Sequence, residues 1–331
     1  MRVAVLGAGR IGALHSRLLA EHPDVDPVVV ADERPERAVE VAAAVRGEAA
    51  GIAEAIEAAD ATVITAATSA HLELIGASLD AGVPCFCEKP IALGLEETGA
   101  VVERVEREDA VLQIGFQRRF DRGYSEARRL VDSGEIGTLF TVRLATHDPD
   151  PPHAEYIAHA GGIFRDLHIH DFDSLRWVTG REPAEVYAVG VVRQYRWFEE
   201  YGDFDTAAAL VRMDDGVLAV LTGGRRDRLG YDVRAELVGS EDSVAVGLDP
   251  ATPIRSLEPG AEGLFHDPRH ANFAARFEPA YRAELSHFLD LARGKAENPC
   301  TAREALEALR IAVAADRSAA EGGPIAVADV Q

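Results

Sequence analysis

"VAVLGAGRIG", Val3 to Gly12, decides the fold: an apolar run with strand character ends directly on Gly7-Ala8-Gly9-Arg10-Ile11-Gly12, and a helical pattern opens inside that hexapeptide. Each glycine has its own reason to be there. Gly7 permits the tight turn, Gly9 lets a pyrophosphate approach the backbone, and Gly12 lets helix and strand pack closely. The helix N-terminus, where Arg10 and Ile11 stand, supplies amide donors and partial positive charge. Asp32 closes the next β-branched run twenty residues after Gly12, where a carboxylate accepts hydrogen bonds from an adenosine ribose. Gly7, Gly9, Arg10, Ile11, Gly12 and Asp32 are therefore read as dinucleotide contacts. A carboxylate about 4 Å from a 2'-phosphate costs on the order of 1 to 4 kcal/mol, which favours NAD over NADP. Arg34 would draw a 2'-phosphate the other way, and Glu33 and Glu36 beside it oppose that.

Outward from this stretch, the first 116 residues alternate β-branched runs with alanine-rich helical segments: strands at "RVAVLG", "VVVAD", "ATVITAA", "PCFCEK" and "VLQIGF", with helices between them. Strands apolar on both faces and separated by helices imply a parallel, doubly wound sheet covered on both sides. After Arg119 the pattern changes. "LFTVRLAT", "AEVYAVGVV", "TAAALVRM", "VLAVLTGG" and "DVRAELVG" alternate as half-exposed strands do, and Asp214-Asp215-Gly216 reads as a hairpin turn. Helices at "RGYSEARRLVDSGEIG" and "TAREALEALRIAVAADRSAAEGG", the latter with Thr301 as N-cap, complete this half. The predicted fold class is α/β: a Rossmann domain over 1–119 and an α+β domain with a largely antiparallel open sheet over 120–331.

The 331-residue chain is long enough for about two domains. Its net charge of -22 would repel phosphates, which argues against nucleic acid and anionic membranes as partners. No run approaches the roughly 18 apolar residues of a spanning helix, and the N-terminus begins a strand in place of a leader, so a cytoplasmic location is expected. Cys85 and Cys87 lack the second ligand pair of a zinc site and, with Cys300, read as reduced, buried residues.

Two places carry chemistry. Lys89, in "CEKP", projects from the carboxyl edge of the parallel sheet, where ligands of such folds bind, and a bound dinucleotide would bring its nicotinamide there. The second is "GGIFRDLHIHDFD", Gly161 to Asp173. On a continuous helical wheel Phe164, Leu167, Phe172, Leu175 and Val178 share one face, while Asp166, His170 and Asp173 gather opposite. Asp166 and His170, four residues apart, suit an acid–base pair in which the carboxylate orients the imidazole. His168 and Asp171 point toward the apolar face, where each needs a fixed partner. A metal-binding His-x-His is disfavoured because His168 and His170 diverge by about 200° on a helix. His15, one turn into the first helix, reads as a packed, locally hydrogen-bonded side chain.

Together the N-terminal fingerprint, "EKP" at the fifth strand and the "GG...D...HD" helix resemble the glucose-fructose oxidoreductase and inositol dehydrogenase (Gfo/Idh/MocA) family over essentially the whole chain, including "SGEIGTL" at the crossover. "GFQRRFD", "HDPDPPHAEYIAHAGGIFRDLHIHDFD" and "GYD" look most like its inositol 2-dehydrogenase branch, which usually carries Met or Asn where this chain has Gln117. The resemblance implies Lys89, Asp166 and His170 as the catalytic set. It also implies Thr68, His71 and Glu88 along the cofactor, and Arg119, Asp148 and Tyr231 as contacts to substrate hydroxyls. The expected activity is NAD-dependent oxidation of a cyclic polyol such as myo-inositol to its 2-keto form, by a homodimer or homotetramer, with no resident metal. Three rivals stay open at this point: a family dehydrogenase for another inositol isomer, aldose or sugar derivative; a non-enzymatic dinucleotide-binding regulator; and a metal-dependent hydrolase built on His-x-His.

Overall fold

The computed structural model describes residues 1–247 and 270–331. The chain divides into two compact units, Met1–Phe120 with Pro279–Leu309, and Asp121–Glu278 with Arg310–Gln331.

The first unit holds β1 (Val3–Leu6), β2 (Val28–Ala31), β3 (Glu48–Ala49), β4 (Ala61–Ile64), β5 (Cys85–Glu88) and β6 (Leu112–Gly115). All pair in parallel, in the order β3-β2-β1-β4-β5-β6. This is the doubly wound Rossmann order, whose reversal between β1 and β4 places a ligand crevice beyond the carboxyl ends of those strands. The connecting helices are α1 (Arg10–Ala20), α2 (Pro35–Val45), α3 (Ile52–Glu57), α4 (Thr68–Asp80) and α5 (Leu95–Glu108). β1, β2 and β4 are buried at every position, as strands covered on both faces must be. The sequence misses β3 and α3, because a two-residue exposed strand and a six-residue helix show no measurable period.

One domain boundary near 119 does not describe this unit fully, since Pro279–Leu309 packs with it. Tyr281 meets His15 edge-on at 5.5 Å, Phe288 lies 5.7 Å from Phe86, and the Ile114 N–H donates to the Cys300 carbonyl at 2.8 Å. All three cysteines are free and buried.

The second unit is built on β7 (Leu139–His147), β8 (Pro183–Val191), β9 (Thr206–Met213), β10 (Leu218–Gly224), β11 (Asp232–Gly239), β12 (Ser243–Val246) and β13 (Ile325–Ala326), in the order β12-β11-β7-β10-β9-β8-β13. Among the described residues only the β7–β10 pairing of this sheet is parallel. The β9–β10 hairpin turns at Asp214-Asp215-Gly216 with Gly216 at φ +94, as predicted. Burial alternates along β9 and along β10 as far as Gly223, so one face of the sheet is covered and the other is exposed. The helices of this unit include α6 (Arg122–Asp132), capped by Asp121, then α7 (Ala154–Ala160), α8 (Ile163–Asp166), α9 (Ile169–Thr179) and α10 (Trp197–Glu200). α11 (Phe273–Ala292) and α12 (Ala302–Glu321) follow, and the Thr301 hydroxyl caps α12 by accepting from Glu304 N–H at 3.2 Å. Among the described residues no helix is long and apolar enough to cross a membrane.

Candidate active site

In the first unit, Gly7 adopts φ +113, and a Cβ there would strike the Ala66 backbone; a Cβ on Gly12 would strike the Gly7 carbonyl. Gly9 differs: a Cβ would meet no protein atom within 4 Å, so this side of the turn is open. Gly9 also precedes α1 as its N-cap, with no side-chain cap and no acidic residue in the first turn. The helix N-terminus therefore keeps its positive end for an anion. Thr65, which the sequence does not single out, ties the loop to β4 by donating from Oγ1 to the Gly7 carbonyl at 2.8 Å.

Asp32 follows β2, accepting from Ala8 N–H at 2.6 Å on one oxygen and from Arg34 N–H at 2.9 Å on the other. Each oxygen keeps a second acceptor site, which fits ribose hydroxyls and disfavours a 2'-phosphate. These residues fit a dinucleotide. Asp32→Ser is expected to shift the NADP/NAD ratio of kcat/KM by on the order of 10- to 100-fold toward NADP, from losing about 1 to 3 kcal/mol of hydrogen bonding and repulsion. An unchanged ratio in steady-state assays would contradict that role for Asp32.

Lys89 stands just past β5, half-buried, and its bond to Pro90 is cis. Glu88 pairs with the buried His15, Nε2 to Oε1, at 2.7 Å. Thr68 opens α4. His71, expected along the cofactor, is 1% exposed, with Nδ1 2.8 Å from the Pro90 carbonyl and Nε2 3.1 Å from the Ala66 carbonyl. Burial pushes its pKa down, so the ring is neutral. Arg119, expected at a substrate hydroxyl, donates from Nη1 to the Pro299 carbonyl at 2.6 Å and from Nη2 to Glu304 at 2.8 Å. Buried there, it anchors the turn leading into α12.

In the second unit, the helix carrying Asp166 and His170 is not continuous. α8 ends at Asp166 and α9 starts at Ile169, and the Ile163 carbonyl accepts from both Leu167 and His168 N–H groups at 3.0 Å. The second of these bonds is an i→i+5 contact that inserts one residue into the turn, so later residues are displaced by on the order of 100° from an unbroken wheel. Phe164, Leu167, Phe172, Leu175 and Val178 are nevertheless all buried.

Asp166 is gripped on both oxygens. The Tyr156 hydroxyl donates to Oδ1 at 2.7 Å, and Arg225 Nη2 lies 2.9 Å from Oδ2. Burial and the Asp166 charge push the Tyr156 pKa up, which keeps the hydroxyl protonated as a donor. Arg225 is 2% exposed and also reaches Asp148, at 3.3 Å. Burial alone would lower its pKa; Asp166, Asp148 and Asp203 outweigh burial and hold it raised. The structure thus unites Asp166 and Asp148 through a residue that the sequence reading passes over. A signal was present: the inward phase Ala219, Leu221, Gly223 along β10 continues to Arg225. Tyr156, on a short helix and 47% exposed as a residue although its hydroxyl end is enclosed, gave none.

His170 sits in the first turn of α9, half-buried. Tyr231 precedes β11, buried edge-on against Phe277 at 6.4 Å, with its N–H donating to the His270 carbonyl. His168 and Asp171 pair at 2.8 Å, and Thr146 donates to the other Asp171 oxygen at 2.7 Å. A Cβ on Gly223 would run into His168 Nε2, so this imidazole is enclosed by its partners and the sheet and serves structure. Among the described residues no group of three His, Cys, Asp or Glu side chains is placed to hold a metal ion.

Residues 1–116 match the oxidoreductase family with an NAD-binding Rossmann fold, and residues 124–245 match the GFO/IDH/MocA C-terminal domain. The chain is 41% identical over 335 residues to myo-inositol dehydrogenase Hyg17 of Streptomyces leeuwenhoekii, covering 98% of this chain and 100% of that one. Among solved structures, a myo-inositol dehydrogenase from Corynebacterium glutamicum superposes with a TM-score of 0.89 at 34% identity over 98% of each chain. The scyllo-inositol dehydrogenase of Lactobacillus casei, solved with NAD(H) and scyllo-inositol, gives 0.90 at 28% identity over 99% of each. With the glycine loop and Asp32 in place, both family domains matched, and a relative 41% identical over 98% of this chain, the chain belongs to the GFO/IDH/MocA family of NAD-binding oxidoreductases.

Proposed function

We propose that this enzyme oxidises a ring CH–OH of a cyclic polyol, with myo-inositol as substrate and 2-keto-inositol as product. The full-length likeness to myo-inositol dehydrogenase Hyg17, at 41% identity, carries the substrate reading. NAD, when bound, accepts the hydride. His170 takes the proton of the reacting hydroxyl, and the Lys89 ammonium stabilises negative charge developing on that oxygen. Asp166, paired with Arg225 and accepting from Tyr156, steadies the imidazolium. Asp148 and Tyr231 contact ring hydroxyls. A panel of myo-inositol, scyllo-inositol, other inositol isomers and aldoses, run with NAD and with NADP, tests the reading. The highest kcat/KM is expected for myo-inositol with NAD; preference for an aldose would refute it. Scyllo-inositol is the second reading, since the Lactobacillus casei relative acts on that isomer.

The exposed sheet face supports a homodimer or homotetramer. Tyr187, Leu210 and Val220, each more than 40% exposed, are register partners across β8, β9 and β10, and Val189, Val191 and Leu218 extend the patch. A contiguous apolar sheet face of this kind is ordinarily covered. Leu210→Lys is expected to lower the solution mass by at least half in light scattering; an unchanged mass would move the interface elsewhere. Three free, buried cysteines and the use of NAD support a cytoplasmic location.

A further inference from the structure

Lys89 is half-buried at the end of a four-carbon stem with about 2 kcal/mol of rotamer entropy. A group that must meet one oxygen needs its backbone held to within about 0.5 Å. Within the first unit, both neighbours of Lys89 are tied down by buried histidines. On one side, His15 from α1 is 0% exposed and contacts Glu88 Oε1 at 2.7 Å through Nε2. Its ring is fixed edge-on to Phe86 at 5.7 Å and to Tyr281 at 5.5 Å. The other Glu88 oxygen lies over Gly115, where a Cβ would come to 2.9 Å. The carboxylate is therefore clamped, Oε1 by an imidazole N–H and Oε2 against a glycine. On the other side, His71 from α4 reaches the Pro90 carbonyl through Nδ1 at 2.8 Å and the Ala66 carbonyl through Nε2 at 3.1 Å. Because burial keeps this ring neutral, it has one N–H to give, and the shorter contact, to Pro90, takes it. Its Nε2 faces the Ala66 carbonyl, and Ala66 in turn backs Gly7 in the glycine loop, so the ring sits between the ends of β4 and β5.

Filling space does not explain this choice. Burying an imidazole costs free energy that an aliphatic side chain would avoid, and both rings direct that cost to the tripeptide centred on Lys89. We propose that His15 and His71 are positioning residues for Lys89, His15 by fixing the Glu88 side chain and His71 by fixing the Pro90 carbonyl. The proposal rests on Lys89 being the charge-stabilising residue of the reaction.

The two ring nitrogens allow a crossed test, because a glutamine amide N replaces Nε2 and an asparagine amide N replaces Nδ1. At position 15, H15Q is expected to recover kcat to within about threefold of the parent, while H15N loses about 10- to 100-fold, the scale of a 1 Å misplacement. At position 71 the order reverses, with H71N recovered and H71Q impaired. NAD affinity by fluorescence titration should stay within about threefold in all four, and melting temperatures identify any variant whose loss is a folding loss. In a K89M background, H71Q should cost no further turnover, because a positioning residue has nothing left to aim. Asn and Gln acting alike at each position, losses confined to NAD affinity, or an additive loss in the K89M background would overturn the proposal. If K89M itself turns over like the parent, the reading of Lys89 fails first; if K89M is inactive and all four histidine variants match the parent, only the positioning role fails.

Discussion

Lys89→Met is expected to lower kcat for myo-inositol oxidation by about 10^3-fold while leaving NAD affinity within about threefold. Methionine keeps the length and apolar stem of lysine and removes only the ammonium. What is lost is charge stabilisation at the oxygen from which a proton departs, and deleting one preorganised donor of this kind costs on the order of 10^2- to 10^3-fold. The dinucleotide elements are elsewhere in the unit: the glycine turn, the α1 N-terminus and Asp32 contain no part of Lys89. The loss should therefore fall on kcat and on kcat/KM for the polyol equally, the pattern of an interaction made mainly in the transition state. Stopped-flow turnover together with fluorescence titration of NAD checks it, and turnover within a few-fold of the parent would remove Lys89 from the mechanism.

Arg225→Met should cost about 3 to 5 kcal/mol of stability and abolish detectable turnover. Arg225 is a buried cation between Asp166 and Asp148, with burial pushing the Asp203 carboxyl up nearby. Removing one partner of such a group leaves charges buried without compensation, and that scale of loss is typical. At roughly 2 to 4 °C per kcal/mol for chains of 150–250 residues, a melting temperature lower by about 10 °C follows. Asp148→Asn should be milder, because its contact is 3.3 Å and its side chain 24% exposed, so solvent already shares the charge. Equal effects of the two substitutions in thermal melts would show that Arg225 is not the hub of the cluster.

The fold was legible wherever burial imposed a period. β1 and β2 declared themselves by being apolar throughout, β4 by a run broken only by Thr62, and β9 and β10 by alternation. Pro279–Leu309 groups with the first unit, which the sequence does not show, because a helical pattern names a face to bury and not the sheet that buries it. The same limit governs the site. Asp166 was visible as a carboxylate on a helix, yet its partners Tyr156 and Arg225 arrive from α7 and from the end of β10, which no local spacing relates. The extra residue at Leu167–His168 shifts the helical phase, and hydrophobic periodicity over so short a segment does not register it. Arg119 and His71 have residue types suited to ligands, and their enclosure by the Pro299, Pro90 and Ala66 carbonyls is a tertiary fact.

Transfer of the ring hydrogen tests the central claim most directly. The enzyme is incubated with NAD and myo-inositol carrying deuterium at C2, and the reduced nicotinamide is examined by NMR. Hydride transfer from the polyol carbon places the deuterium at C4 of the nicotinamide in step with formation of the 2-keto product. Oxidised polyol formed with no deuterium at C4, or no oxidation of any cyclic polyol while NAD binds tightly, would contradict the account.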